Sequence, residues 1–256
     1  MLLLHSNPCD SRDFDAIIPA LARKFTVVTI DWPGYGQSTA RNPGQVTAEG
    51  LVAVAEQVLH ALAARRIRRL AIIGNSVGGY VAVRLAQPRQ PSIASLILVD
   101  PGGFTPQHPV VRASCRHVMG SSVIARQLIT PLARAYLGRL RTPSARATYS
   151  RARKIRHQSP QLEVHWALWR SFAYPYFDLT TISPTLAVPT LLIWGWRDPI
   201  SLAAIDGRRA RRALPHASTV LLPTGHEPFN ERPEAVPRPG CAVPPPARRH
   251  RARKQQ

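Results

Sequence analysis

Gly74-Asn75-Ser76-Val77-Gly78 follows the apolar run Leu70-Ala71-Ile72-Ile73 and leads into the helix-forming stretch Tyr80-Val81-Ala82-Val83-Arg84-Leu85. A serine on such a strand-to-helix turn projects its hydroxyl over a sheet edge. Glycines two positions either side let neighbouring chain pass close. The Val77 amide, at the start of the helix, is then placed to stabilise an oxyanion. The plainer reading is a serine that only caps a helix. A serine hydroxyl cannot attack unaided near neutral pH and needs a base. Of nine histidines, His226 is the best placed, in a short loop reached through Pro223-Thr224-Gly225. Its plainer reading is a solvated loop histidine. His60 falls in mid-helix, His117, His157 and His165 in a helical stretch, and His250 in a basic tail.

The imidazole in turn needs a carboxylate to hold its tautomer. Asp198, in Gly195-Trp196-Arg197-Asp198-Pro199, and Asp100, which follows Ser95–Val99, both stand at strand ends. The order Ser76, Asp198, His226 favours Asp198. Asp100 is the alternative acid; its structural reading is to bond the turn at Pro101-Gly102-Gly103.

These residues must be carried by a sheet. Apolar runs at Leu2–His5, Phe25–Asp31, Leu70–Gly74, Ser95–Asp100, Thr190–Gly195 and Ser218–Leu222 have the near-continuous character of strands buried on both faces. Helical patterns separate them at Arg12–Lys24, Thr47–Arg65, Ser76–Gln87 and Ser201–Leu214. This alternation predicts an α/β fold with a mostly parallel sheet flanked by helices. In such sheets, loops at the carboxyl ends of the strands converge on one site.

The alternation stops between about Thr105 and Ser183. From Thr105 to Phe177 there are 11 Arg and one Lys against a single acid, Glu163. The domain reading is a core of residues 1–104 and 184–233, a helical insertion over residues 105–183, and a disordered Pro/Arg-rich tail over residues 234–256. Trp166, Trp169, Phe172, Tyr174, Tyr176 and Phe177 either fill the insertion's own core or line a pocket.

The chain has 256 residues, and 34 Lys+Arg against 14 Asp+Glu give +20. That excludes an acidic surface but does not establish nucleic-acid binding. The basic tail has neither a recognition motif nor aromatic residues for stacking, so nucleic acid is disfavoured as a partner. Cys9, Cys115 and Cys241 form no CxxC pair. No disulfide framework, metal site or cofactor is expected, and the compartment predicted is the cytoplasm. No apolar run approaches the ~18 residues that a membrane span needs.

The motifs together resemble the α/β-hydrolase superfamily. Asp31-Trp32-Pro33-Gly34-Tyr35-Gly36-Gln37-Ser38 resembles its D-x-x-G-x-G-x-S loop, His5-Ser6-Asn7-Pro8 its oxyanion loop, and Gly225-His226-Glu227-Pro228-Phe229-Asn230-Glu231-Arg232-Pro233 the segment bearing its histidine. The likeness runs from about Leu2 to Pro233, with the insertion where the family carries a cap. It implies Ser76 as nucleophile, His226 as base, Asp198 as orienting acid, and the amides of Val77 and Asn7 as oxyanion hole. Asp31 is expected to bond loop amides.

Three departures matter. Ser6 stands where the family has glycine and is expected to strain the loop if φ there is positive. The family has about two strands ahead of Leu2 and a helix after the histidine segment. The chain is therefore read as truncated at its N-terminus, which leaves Phe25–Asp31 at a sheet edge, and as altered at its C-terminus. The expected activity is that of a serine hydrolase on a small ester or related carbonyl compound, through an acyl-enzyme. A serine disfavours attack on sp³ carbon. Carbon–carbon bond, thioester, lactone and amide cleavage stay open, as does a catalytically inactive, ligand-binding hydrolase-like protein.

Overall fold

The structure, a computed structural model, describes residues 1–67, 69–87, 92–181 and 186–236. Six strands, β1 (Leu2–Leu4), β2 (Val28–Ile30), β3 (Leu70–Asn75), β4 (Ile93–Val99), β5 (Thr190–Gly195) and β6 (Ser218–Leu222), form one sheet in the order β2-β1-β3-β4-β5-β6. Every pairing is parallel. All carboxyl ends therefore face the same way, and the loops that follow them share one edge of the sheet.

Alternate residues of each strand feed two separate cores, as the two-residue repeat of a strand requires. Leu2, Leu4, Leu70, Ile72, Leu96, Leu98, Leu192 and Trp194 face one layer. Leu3, Ile73, Ile97, Val99, Leu191 and Ile193 face the other. This two-sided burial explains why the strands read as continuous apolar runs. β2 is an edge strand and shorter than its sequence run, because its partner β1 offers only three residues to pair with.

Helices α1 (Ile18–Ala22), α2 (Ala48–Ala64), α3 (Val77–Leu85) and α8 (Asp206–Ala213) cover the sheet. In α2 the Thr47 hydroxyl accepts from the Gly50 amide, and Leu51, Ala55, Leu59 and Leu62 supply the buried face. The predicted helix over Arg12–Lys24 is instead a 3₁₀ turn (Ser11–Phe14) followed by α1. The Asp10 carboxylate caps the turn, and Pro19, which has no N–H, enters α1 in its first turn.

Between β4 and β5 lie α4 (Pro109–Ala113), a π-helical stretch (Ser114–Met119), α5 (Ser122–Tyr136), α6 (Pro143–Ile155) and α7 (Ser159–Ser171). After β6 come α9 (Pro228–Glu231) and a 3₁₀ turn at Pro233–Ala235, with Val236 buried against the second core. The rest of the predicted tail lies outside the described residues.

Candidate active site

β3 ends at Asn75, and the chain reverses into α3 at Ser76, whose backbone is at φ 54°, ψ −119°. Few non-glycine residues tolerate that region, and it is held here from both sides. The Ser76 amide donates to the Val99 carbonyl at 3.1 Å, while the Ser76 carbonyl accepts from the amides of Gly102 and Tyr80. A Cβ at Gly74 would collide with the Gly78 carbonyl, and one at Gly78 with the Leu4 carbonyl. The glycine spacing is thus a steric requirement of the turn.

His226 and Asp198 meet across two loops. Nδ1 of His226 lies 2.6 Å from Oδ2 of Asp198, and both residues are buried. The other Asp198 oxygen accepts from the Ile200 amide at 2.8 Å. With Nδ1–H donated to the carboxylate, the neutral imidazole keeps its lone pair on Nε2. Burial alone would depress the pKa of His226; the charge and hydrogen bond of Asp198 outweigh it and hold it above the ordinary value. The His226 amide donates to the Tyr136 carbonyl at 2.7 Å, and the Tyr136 ring meets the imidazole edge-on at 5.7 Å.

Asp100 has a different task. Its Oδ1 accepts from the Gly195 amide at 2.9 Å, so it ties the end of β4 to β5 and not to the turn that follows it. Burial, together with the neighbouring charge of Asp198, pushes its pKa well above the carboxylate range. Asp100 also has positive φ, at 42°. Asn75 adds a bridge that the sequence did not reveal. Its side-chain amide donates to the carbonyls of Val99 and His226, both at 3.0 Å, and so joins the serine strand to the histidine loop.

The loop after β1 is organised by His5. The Trp32 amide donates to His5 Nε2 at 2.9 Å, so Nδ1 carries the proton and donates to the Ser6 carbonyl at 2.7 Å. Burial lowers the pKa of His5 to about 4, which keeps it neutral. Ser6 does not have positive φ, contrary to the strain expected, and its hydroxyl donates to Glu227 Oε1 at 3.3 Å. Asn7 is pinned from two sides: Tyr35 Oη donates to Oδ1 at 2.6 Å, and His165 Nδ1 lies 3.2 Å from the same atom. Asp31 bonds the Ser11 and Gln37 amides, as the sequence leads one to expect.

Two groups of metal-ligand type occur among the described residues. One is Asp100, Asp198 and His226. The other is Cys9, Asp13 and Glu227, all three buried. There Arg151 donates to Asp13 at 2.7 Å, Asn230 donates to Glu227 at 2.6 Å, and Cys9 Sγ lies 3.2 Å from Tyr136 Oη. These partners already compensate much of the cluster's charge.

Ser76, His226 and Asn7 line one pocket of about 310 Å³. Its walls include Val111, Cys115, Met119, Trp169, Phe172 and Phe177; among the described residues no Asp, Glu, Lys or Arg lines it. The aromatic cluster thus divides. Trp169, Phe172 and Phe177 face the pocket, whereas Tyr174 and Tyr176 stack on each other at 5.5 Å.

A sequence profile of the alpha/beta hydrolase fold matches residues 1–233. The chain belongs to that family. Among its relatives is a pimeloyl-[acyl-carrier protein] methyl ester esterase of Nitrosomonas europaea, 29% identical over 247 residues, covering 91% of each chain. An uncharacterized protein of Mycobacterium tuberculosis is 27% identical over 250 residues, covering 91% of this chain and 71% of the relative. A solved thermophilic esterase from Thermogutta terrifontis superposes with a TM-score of 0.71 at 27% identity, covering 91% of this α/β hydrolase and 84% of the esterase. The expected assignment to the α/β-fold hydrolases, with esterases among its neighbours, therefore holds. No helix among the described residues is long and apolar enough to cross a membrane.

Proposed function

We propose that this α/β hydrolase is a serine esterase acting on small, uncharged esters or related carbonyl compounds through an acyl-enzyme. The observation that carries the proposal is the 2.6 Å contact between His226 Nδ1 and Asp198, with His226 and Ser76 lining the same pocket. Nε2 of His226 takes the proton of Ser76 as Oγ attacks the carbonyl carbon. The tetrahedral oxyanion rests against the amides of Val77 and Asn7. His226 then protonates the leaving alcohol, and the same imidazole activates water to release the acid and regenerate Ser76.

The lining supports a neutral substrate. The insertion carries 11 arginines, yet among the described residues no arginine or lysine lines the pocket, which argues against an anionic substrate group. The apolar walls suit a short acyl or alkyl chain. The helical insertion acts as a cap that closes this pocket over the sheet edge. The unpaired spacing of the cysteines supports a cytoplasmic location.

The test is turnover of p-nitrophenyl acetate together with labelling by a fluorophosphonate probe. Wild type is expected to turn over the ester and take the label, and Ser76→Ala to do neither. Labelling undiminished in Ser76→Ala would refute the assignment of the nucleophile.

A further inference from the structure

The insertion has a face that the pocket does not use. No Asp or Glu occurs between Asp100 and Glu163, whereas Arg112, Arg116, Arg126 and Arg134 fall within or between α4 and α5. On the same helices three valines are turned outward: Val110 is 79% exposed, Val123 67% and Val118 40%. Tyr174, 45% exposed, adjoins them, because the Arg116 guanidinium lies 5.8 Å over its ring. Exposed aliphatic groups beside uncompensated arginines are the composition of a surface that enters a lipid interface.

The helix that carries this face is also a wall of the pocket. Val111, Ser114, Cys115 and Met119 line the cavity, and Ser114 is itself exposed. Val110 and Val118 each lie four residues from Ser114 along that wall. Leu202, 42% exposed, directly follows pocket-lining Pro199, Ile200 and Ser201.

We propose that the α4–α5 face docks on the surface of an anionic phospholipid bilayer, with the pocket mouth at the interface. Charge selects the partner: α4 and α5 belong to a run of more than sixty residues without an acid, and among the described residues none of Arg112, Arg116, Arg126 and Arg134 is ion-paired, so the face is drawn to a negative headgroup layer. The valines decide between lipid and nucleic acid. A phosphate backbone gains nothing from exposed aliphatic groups, whereas the boundary between headgroups and acyl chains buries them. The chain would lie on the membrane without spanning it.

The experiment is co-sedimentation of the full chain with large unilamellar vesicles of phosphatidylcholine, with and without phosphatidylglycerol. Binding is expected only where phosphatidylglycerol is present, with release at high salt. In the full chain, Val110→Ser/Val118→Ser/Val123→Ser should lower the partition coefficient about tenfold at unchanged net charge. Arg116→Gln/Arg126→Gln should lower it about tenfold and flatten its salt dependence. Both variants should keep wild-type turnover of a soluble ester, which shows that they are folded. Failure of the wild-type chain to bind anionic vesicles would overturn the proposal. So would binding that the valine substitutions leave unchanged, since the basic tail would then be the anchor. Preferential binding of duplex DNA that displaces the vesicles would overturn it as well.

Discussion

Asp198 and Asp100 stand side by side at the ends of neighbouring strands, but only Asp198 reaches His226; Asp100 is turned to the Gly195 amide. The two acids should therefore separate in a mutational comparison. Asp198→Asn cannot fix the imidazole in the tautomer that leaves Nε2 free, and kcat should fall by roughly 10³–10⁴. Asp100→Asn keeps an acceptor for Gly195 and removes a carboxyl whose ionised form is disfavoured by burial. It should leave kcat within about threefold and stability unchanged or slightly raised. Steady-state kinetics and thermal melts of both variants make the check, and the opposite ranking would transfer the acid's role to Asp100.

The pH profile follows from the same contact. In the proposed mechanism His226 must be neutral to act as base, and Asp198 holds its pKa above the ordinary value despite burial. The acid limb of kcat/KM should therefore have its midpoint above pH ~6.5. In Asp198→Asn the stabilising charge is gone and burial remains, so the residual activity should show its limb shifted to lower pH. For stability the sign is opposite in sense: the contribution of a raised histidine is complete below its unfolded pKa and fades as pH rises through the folded one.

Glu227, the neighbour of His226, offers a second titration. Burial raises its pKa, although the Asn230 hydrogen bond and the His226 and Arg151 charges oppose the rise. A carboxyl raised in the fold contributes stability below its unfolded pKa and loses it as pH increases through the folded pKa. Glu227→Gln keeps polar contacts to Ser6 and Asn230 and abolishes the ionisation. Its melting temperature should fall less than that of wild type as the pH rises above the ordinary range of a glutamate, about 4. A wild-type and variant pair with parallel pH dependence would show that Glu227 ionises freely in the fold.

What could be read from the sequence was what a local steric or burial rule enforces. β5 matches its apolar run residue for residue, because Leu191–Gly195 are buried inside the sheet; β6 matches its own run although it is an edge strand with Leu221 exposed. The Ser76 turn is legible because collisions with the carbonyls of Gly78 and Leu4 demand glycine at positions 74 and 78. Contacts made only by the folded chain left no such trace. Ser6 and Glu227 are 221 residues apart, and Tyr136 reaches His226 from a helix that reads only as part of an arginine-rich insertion. Chain order favoured Asp198 over Asp100, but both are strand-end acids, and the different partners of the two side chains, His226 and the Gly195 amide, are visible only in the fold.

Arg197 and Glu231 fasten the two loops that carry Asp198 and His226. The guanidinium donates to Glu231 Oε1 at 2.6 Å and also reaches the Pro223 carbonyl, while Glu231 Oε2 accepts from the Gly225 amide at 3.0 Å. Arg197 precedes Asp198 and Gly225 precedes His226, so this buried carboxylate sets the distance across which the imidazole and its acid meet. Arg197→Ala would leave Glu231 with one amide for its charge and should cost about 2–3 kcal/mol of stability, below a fully enclosed pair because Arg197 still reaches solvent. A displacement of the loops by a fraction of an ångström is enough to lower kcat, and a ten- to hundredfold loss is expected with KM little changed. Arg197→Lys keeps the charge but not the fork that spans Glu231 and Pro223, and should fall between the two. A variant that melts early yet retains wild-type kcat below its melting temperature would show that the pair stabilises the fold without setting the geometry of the site.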